Sequence, residues 1–330
     1  MLDLAYTDNK TAIRQLWDAR IIEDFSNTKG KVLDYFGLSG PDIRDLIDWK
    51  KYIGYITSVE YLDKNRNQRN EQLQKISKLM SNLSLDFNGN WEVRKGKLED
   101  IILDGTDIDG NKPAKLILEK KRPSMNYDIH NWDFQGGLGY SNLQGSHDRV
   151  EAIKRCMELQ RGNPFLFLIT LNVRHNLKNE PKAYLLGKAK DHKDCGKVLK
   201  WYASKSSNNG MDHYCTKSVV PLFIRETAQQ SSYDCFVYPP IYYQGPKEHL
   251  LHFVFSLNPK HTILPSQSSQ EISEVVNLPL IEVEDGKFKF GEQHPDFDKE
   301  KALDFLKTHN LPTPHTVKQR KNLLLKNEIL

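Results

Sequence analysis

The sequence has only four cysteines, Cys156, Cys195, Cys215 and Cys235, and no two of them form a close CxxC couple. Zinc sites draw their ligands from such couples, so a metal cluster is not expected. His213 and Cys215 lie two residues apart, but no second couple completes a tetrahedral set. Four scattered thiols read as reduced residues of an intracellular protein. Long apolar runs are also missing. The longest, such as Pro164–Leu171, are of strand length and far short of a membrane span. Asp3, Asp8, Lys10, Arg14 and Asp18 interrupt the first residues, which leaves no apolar signal core there. A soluble, cytoplasmic protein with no membrane partner is expected. Nor is charge of one sign in excess: 47 Lys+Arg against 43 Asp+Glu leave a net +4. That balance permits a nucleic-acid partner without requiring one.

What is present is enough apolar residue for a core. The chain has 330 residues, 38% of them hydrophobic and 10% aromatic, which suits one large domain or two. Strand-like and helix-like segments alternate through the first 175 residues. Lys31–Tyr35 is a short apolar run that stops at Asp34. Pro41–Lys50 reads as a helix, with Pro at its first position and Ile43, Leu46 and Ile47 on one face. Tyr52–Val59 is a second strand ending at Glu60, and Arg66–Leu83 a helix with Leu73, Ile76, Leu79 and Met80 at helical spacing. Trp91–Arg94 and Tyr127–Trp132 are further strands. Between His147 and Leu159 lies a helix, and Pro164–Val173 is a strand apolar on both faces. This rhythm predicts a parallel sheet with right-handed crossovers, whose ligand crevice lies beyond the carboxyl ends of the strands. Asp34, Glu60, Leu98–Asp100, Asp133 and Asn172 are the residues expected at those ends.

After a Lys-rich stretch (Lys188, Lys190, Lys193, Lys197, Lys200) the pattern changes. Asp234–Tyr243 and His249–Leu257 read as an antiparallel hairpin. Inside it, Pro239-Pro240 cannot donate ladder hydrogen bonds and predicts an edge or a bulge. Leu278–Val283, Lys287–Phe290 and two short helices, Asp298–Thr308 and Thr316–Asn327, follow. The division expected is a domain over residues 1–263 and a small appended lobe over 264–330.

The order of these features resembles the class I S-adenosylmethionine (SAM)-dependent methyltransferase superfamily over roughly residues 28–260. The resemblance implies an α/β fold: a Rossmann-like, mostly parallel sheet with a terminal antiparallel hairpin, in a three-layer sandwich. It implies SAM as cofactor. On this reading Asp34, Phe36, Gly37 and Gly40 form the turn that holds the methionine end, with Phe36 where the family commonly has a glycine. Glu60, followed by Tyr61, would hold the ribose hydroxyls, and Leu98 and Glu99 the adenine ring. Asp133 would accept a proton or hydrogen bond from the acceptor, and Phe134 would stack on a base; the Gln135-Gly136-Gly137 that follows keeps the entry open. The Pro-Pro-aromatic signature of amino-methylating nucleic-acid enzymes is absent at that point. The expected function is methyl transfer to nucleic acid, RNA or DNA, or to a nucleotide-containing acceptor. Lys188–Lys200 and Lys318-Gln319-Arg320-Lys321 are candidate phosphate contacts. The alternative is a non-catalytic Rossmann-like subunit of a nucleic-acid-handling assembly, with a protein partner or a second copy. A nicotinamide-dependent oxidoreductase is disfavoured, because no GxGxxG occurs.

Overall fold

A computed structural model describes residues 8–63, 68–117, 124–134, 149–160, 162–173, 180–205, 213–245, 248–260 and 270–314. It opens on α1 (Asp8–Ala12), a π-helical stretch (Ile13–Asp18) and α2 (Ala19–Lys29), which follow one another without a break and stop at Gly30 in the left-handed region. Next come β1 (Leu33–Gly37), α3 (Arg44–Asp48), β2 (Ile53–Glu60), α4 (Arg69–Asp86), β3 (Trp91–Lys95) and α5 (Leu98–Asp104). A small ribbon, β4 (Leu116–Ile117) and β5 (Ser124–Met125), precedes β6 (Ile129–Asp133), α6 (Arg149–Leu159) and β7 (Phe165–Asn172). Helices α7 (Glu180–Asp191), α8 (Gly196–Ser204) and α9 (His213–Gln230) lead to β8 (Tyr233–Val237), β9 (Ile241–Gln244) and β10 (His249–Pro259). The last described elements are α10 (Ile272–Val276), β11 (Ile281–Glu284), β12 (Lys287–Phe290) and α11 (Lys299–Thr308).

Strand order in the main sheet is β12-β11-β9-β10-β7-β6-β1-β2-β3, with β8 also on β10. The five strands β3, β2, β1, β6 and β7 are parallel. β10 runs against β7 on one side and against β8 and β9 on the other. Chain order turns outward in opposite directions from β1 and β6, so the crevice of an open α/β sheet lies at their carboxyl ends. Helices cover both faces. Phe36, Trp132, Phe167 and Phe253 pack toward α5, α6, α8, α9 and α10. Tyr35, Ile56, Leu168 and Val254 pack toward α2, α3, α4 and α11. The result is the three-layer Rossmann-like α/β architecture, with β7 buried at all eight positions.

Several boundaries differ from expectation. β1 continues past Asp34 to Gly37, because Tyr35 and Phe36 are both fully buried on opposite faces. The helix expected over Pro41–Lys50 shrinks to α3, because Ile43 takes the left-handed conformation (φ +45°) and starts the helix late. The strand expected over Asp234–Tyr243 is two strands on one partner, broken at Pro239-Pro240 where no N–H is available. The π-helical opening and α7 to α9 had no counterpart among the expected elements. Residues 281–290, assigned to an appended lobe, lengthen the main sheet through β11 on β9. Helix Thr316–Asn327 and its Lys318–Lys321 cluster lie outside the described residues.

Candidate functional site

Gly37, Glu60, Lys95 and Asp133 are the last residues of β1, β2, β3 and β6, and together mark the carboxyl edge of the sheet. Gly37 is there because of contact: a Cβ on it would stand 2.2 Å from the Asn131 carbonyl oxygen. The next residue, Leu38, donates its N–H to that same carbonyl at 2.9 Å. The turn then passes through Gly40 (φ +67°), where only the backbone conformation calls for glycine, and Ile43, where a β-branched residue carries real strain. Neighbours hold this turn firmly. Ser58 donates to the Ser39 hydroxyl at 2.9 Å, Asn82 donates to the Pro41 carbonyl at 2.8 Å, and Lys78 pairs with Asp42.

Glu60 follows at the end of β2. Burial pushes its carboxyl up to about 7, against the pull of Lys75 and the Tyr61 backbone N–H. Beside it opens a cavity of about 250 Å³. Tyr61, Asp63, Lys97, Asp100, Asp104 and Asp107 are among its lining residues, so its acids outnumber its bases. The Tyr61 ring is 38% exposed there, with its hydroxyl donated to Asp63 at 3.1 Å.

Other expected site residues are placed elsewhere. Asp34 sits near the amino end of β1, away from the turn, paired with Lys31 at 3.8 Å and with Lys115. The reading that made it the strand's last residue stopped at the first charge; those two lysines instead neutralise a carboxylate within the strand. Phe36 packs in the core, its ring 5.2 Å from Tyr127 and 5.5 Å from His130, and faces no crevice. Leu98 is likewise core, 1% exposed. Glu99 accepts from Arg149 Nε at 2.8 Å rather than lining the cavity. Phe134 is 4% exposed, packed edge-on to Trp132 and covered by the Arg149 guanidinium 4.1 Å from its ring centre. A stacking face for a base is therefore taken in this arrangement. Gln135-Gly136-Gly137 lies outside the described residues.

Asp133 does stand at the edge, but paired with Lys10 of α1. Burial works against the Lys10 ammonium, yet Asp133 overrides it and holds its pKa above the ordinary lysine value. Around this pair runs a polar row that the strand pattern hid. Asp133 is in register with Thr170 on β7, and Thr170 with His252 on β10. The Thr170 hydroxyl lies 2.9 Å from His252 Nδ1, and Asp18 Oδ1 lies 2.9 Å from His252 Nε2. Asn131 donates to Asp45 at 2.9 Å and to the Tyr35 hydroxyl at 3.2 Å, while Arg14 bonds Asp48 at 3.0 Å. Each of Thr170 and His252 stands between two apolar residues of its strand. That placement is the available signal, since a buried polar side chain demands a partner. Asp18 gave less warning: it reaches His252 from the π-helical stretch, a distortion that often marks functional sites.

Among the described residues no cluster of three or more His, Cys, Asp or Glu is placed to hold a metal. Cys156, Cys195 and Cys235 are buried free thiols. No helix among the described residues is long and apolar enough to cross a membrane.

No family model and no curated protein sequence matches the chain. Solved structures with a similar fold include Trm1 of Pyrococcus horikoshii in complex with S-adenosyl-L-methionine, at 11% identity and TM-score 0.40, covering 92% of this chain and 72% of that one. An O-methyltransferase of Bacillus cereus in complex with SAH matches at 11% identity and TM-score 0.39, over 73% of this chain and 80% of that one. Magnesium protoporphyrin IX methyltransferase of Synechocystis matches at 8% identity and TM-score 0.38, over 78% and 88%. The sheet established by its own hydrogen bonds is Rossmann-like, and the solved structures named here as similar to it are methyltransferases.

Proposed function

We propose that the chain is a SAM-dependent methyltransferase whose acceptor is a nucleic acid. The cofactor reading is supported by the placement of three features along one carboxyl edge: the tight Gly37 turn, the Glu60 carboxyl and, next to Glu60 in the chain, the acid-rich cavity lined by Tyr61. These residues fit SAM. Its sulfonium and ammonium are cations, which an acid-rich lining favours. Its ribose offers two hydroxyl donors to one carboxylate, as Glu60 at a second-strand end can accept.

SAM supplies a methyl group on a cationic sulfur, transferred by direct displacement. The chain's part is to hold, orient and exclude water. Gly37 to Gly40 bring backbone close to the ligand, Glu60 accepts from the ribose and Tyr61 flanks the base. Asp133 stands at the edge of β6 for the acceptor, once Lys10 is withdrawn from it. The nucleic-acid part rests on the exposed lysines Lys190, Lys193, Lys197 and Lys200 of α7, α8 and the turn between them. Phosphate contacts of this kind lose affinity steeply with salt.

Titration calorimetry with SAM, and with its demethylated product, tests the cofactor reading. Absence of heat at high micromolar ligand ends it. Fluorescence anisotropy with a short labelled RNA at two salt concentrations tests the acceptor class, and binding that ignores both salt and charge reversal of the four lysines refutes it.

A further inference from the structure

On the opposite face of the sheet from Lys10 and Asp18, α8, α9 and the strap 291–297 enclose a second polar centre. Lys217 on α9 is 1% exposed, among the largest fully buried side chains of the molecule. Its ammonium bonds the Tyr202 hydroxyl at 2.6 Å and the Val276 carbonyl at 3.3 Å, and lies 4.2 Å from the Tyr202 ring centre. No carboxylate among the described residues pairs with it, and burial lowers its pKa to about 7. His294 is 3% exposed, and neither of its ring nitrogens has a hydrogen-bond partner among the described residues. Its ring packs edge-on against the same Tyr202, 6.1 Å between centres, and Lys217 lowers its pKa further after burial. Aromatic rings and one ion pair form the outer shell. Trp201 and Tyr214 stack edge to face at 5.8 Å, and Lys205 pairs with Glu292, which also accepts from Tyr214 at 3.0 Å.

A buried ammonium without a counter-charge is costly, and an imidazole with two idle nitrogens adds to the cost. Both approach Tyr202, and among the described residues neither is hydrogen-bonded to a carboxylate. Glu292, the nearby acid, is engaged by Lys205 and Tyr214; Asp296 acts on His294 alone. We propose that Lys217 and His294 form a binding site for a small oxyanion, a phosphate or carboxylate group, with Tyr202 holding the lysine and the Lys205–Glu292 pair in the shell outside it. The oxyanion accepts from the third ammonium proton and from an imidazole N–H, so both donors are satisfied by one group. This site lies on the other face of the sheet from the Lys10–Asp133 pair, and the proposal does not depend on SAM.

The test is thermal unfolding of the full chain against inorganic phosphate, sulfate and acetate, each at ionic strength matched with sodium chloride. A saturable rise in midpoint of several degrees is expected with at least one anion. Acetate alone identifies carboxylate, and phosphate or sulfate alone identifies a phosphoryl-type ligand. Lys217→Met removes the rise and leaves the anion-free midpoint equal or higher, as replacing an unpaired buried charge does. His294→Phe weakens the anion effect on its own and decides the matter if the lysine variant does not fold. No saturable rise with any of the three anions overturns the proposal, as does a rise that survives in both variants.

Discussion

Binding of SAM is expected to tighten about tenfold between pH 6 and pH 8 through Glu60 alone. Burial holds this carboxyl at about 7 in the free protein. The ribose hydroxyls need the ionised form, so the observed association constant follows the ionised fraction. That fraction is about 9% at pH 6 and about 91% at pH 8, a ratio of about ten, or about 1.4 kcal/mol. The α-amino group of the ligand titrates close to this range, with an ordinary value near 7.7–8.0. The comparison that isolates Glu60 is therefore wild type against Glu60→Gln, measured by calorimetry at matched pH. The wild-type slope minus the variant slope should recover the tenfold change, and wild type should release more protons on binding at pH 6 than the variant does. Equal slopes in the two proteins would show that Glu60 does not touch the ligand. The same shift has a stability consequence of fixed sign. A carboxyl raised from 4.5 to about 7 favours the folded state fully below pH 4.5, and that advantage is lost as pH rises through 7. Glu60→Gln should be as stable as wild type at pH 4 and more stable at pH 8.

Gly37→Ala should cost about 1–3 kcal/mol in chemical denaturation, since its Cβ would meet a backbone carbonyl that cannot turn aside; a loss under 0.5 kcal/mol would contradict the close approach. Phe36→Ala should cost about 3–5 kcal/mol while leaving the SAM affinity of the folded fraction unchanged, because its ring is wholly in the core. Lys10→Met breaks a pair about a fifth to a quarter exposed, so its effect on global stability should stay near 1 kcal/mol. Its signature is faster amide exchange in α1, and unchanged exchange would mean the pair does not hold that helix. His252 is held above its ordinary pKa by Asp18, despite burial that lowers it. The stability difference between wild type and Asp18→Asn should be largest below pH 6.5 and shrink as pH rises through the raised value. A difference independent of pH would rule out charge pairing.

Much of this protein was legible from sequence because period and punctuation are local. Strands β2, β3, β6 and β7 stood close to their expected bounds, and Glu60 and Asp133 end β2 and β6. Punctuation by charge misplaced β1, because Lys115, 81 residues away in the chain, makes Asp34 tolerable inside a strand. Similarity of role in the superfamily placed Phe134 and Glu99 at the site. Tertiary packing turned both toward Arg149 instead, which the sequence could not announce. The row Asp133, Thr170, His252 is set by strand register between three segments, and Asp18 reaches it only through a π-helical turn. Residue order alone determined that an alternating α/β sheet forms and that its parallel half has acids at two strand ends. Which of those acids meet a cavity and which meet a lysine was decided by contacts between distant segments, because burial and pairing depend on what the fold brings opposite each side chain.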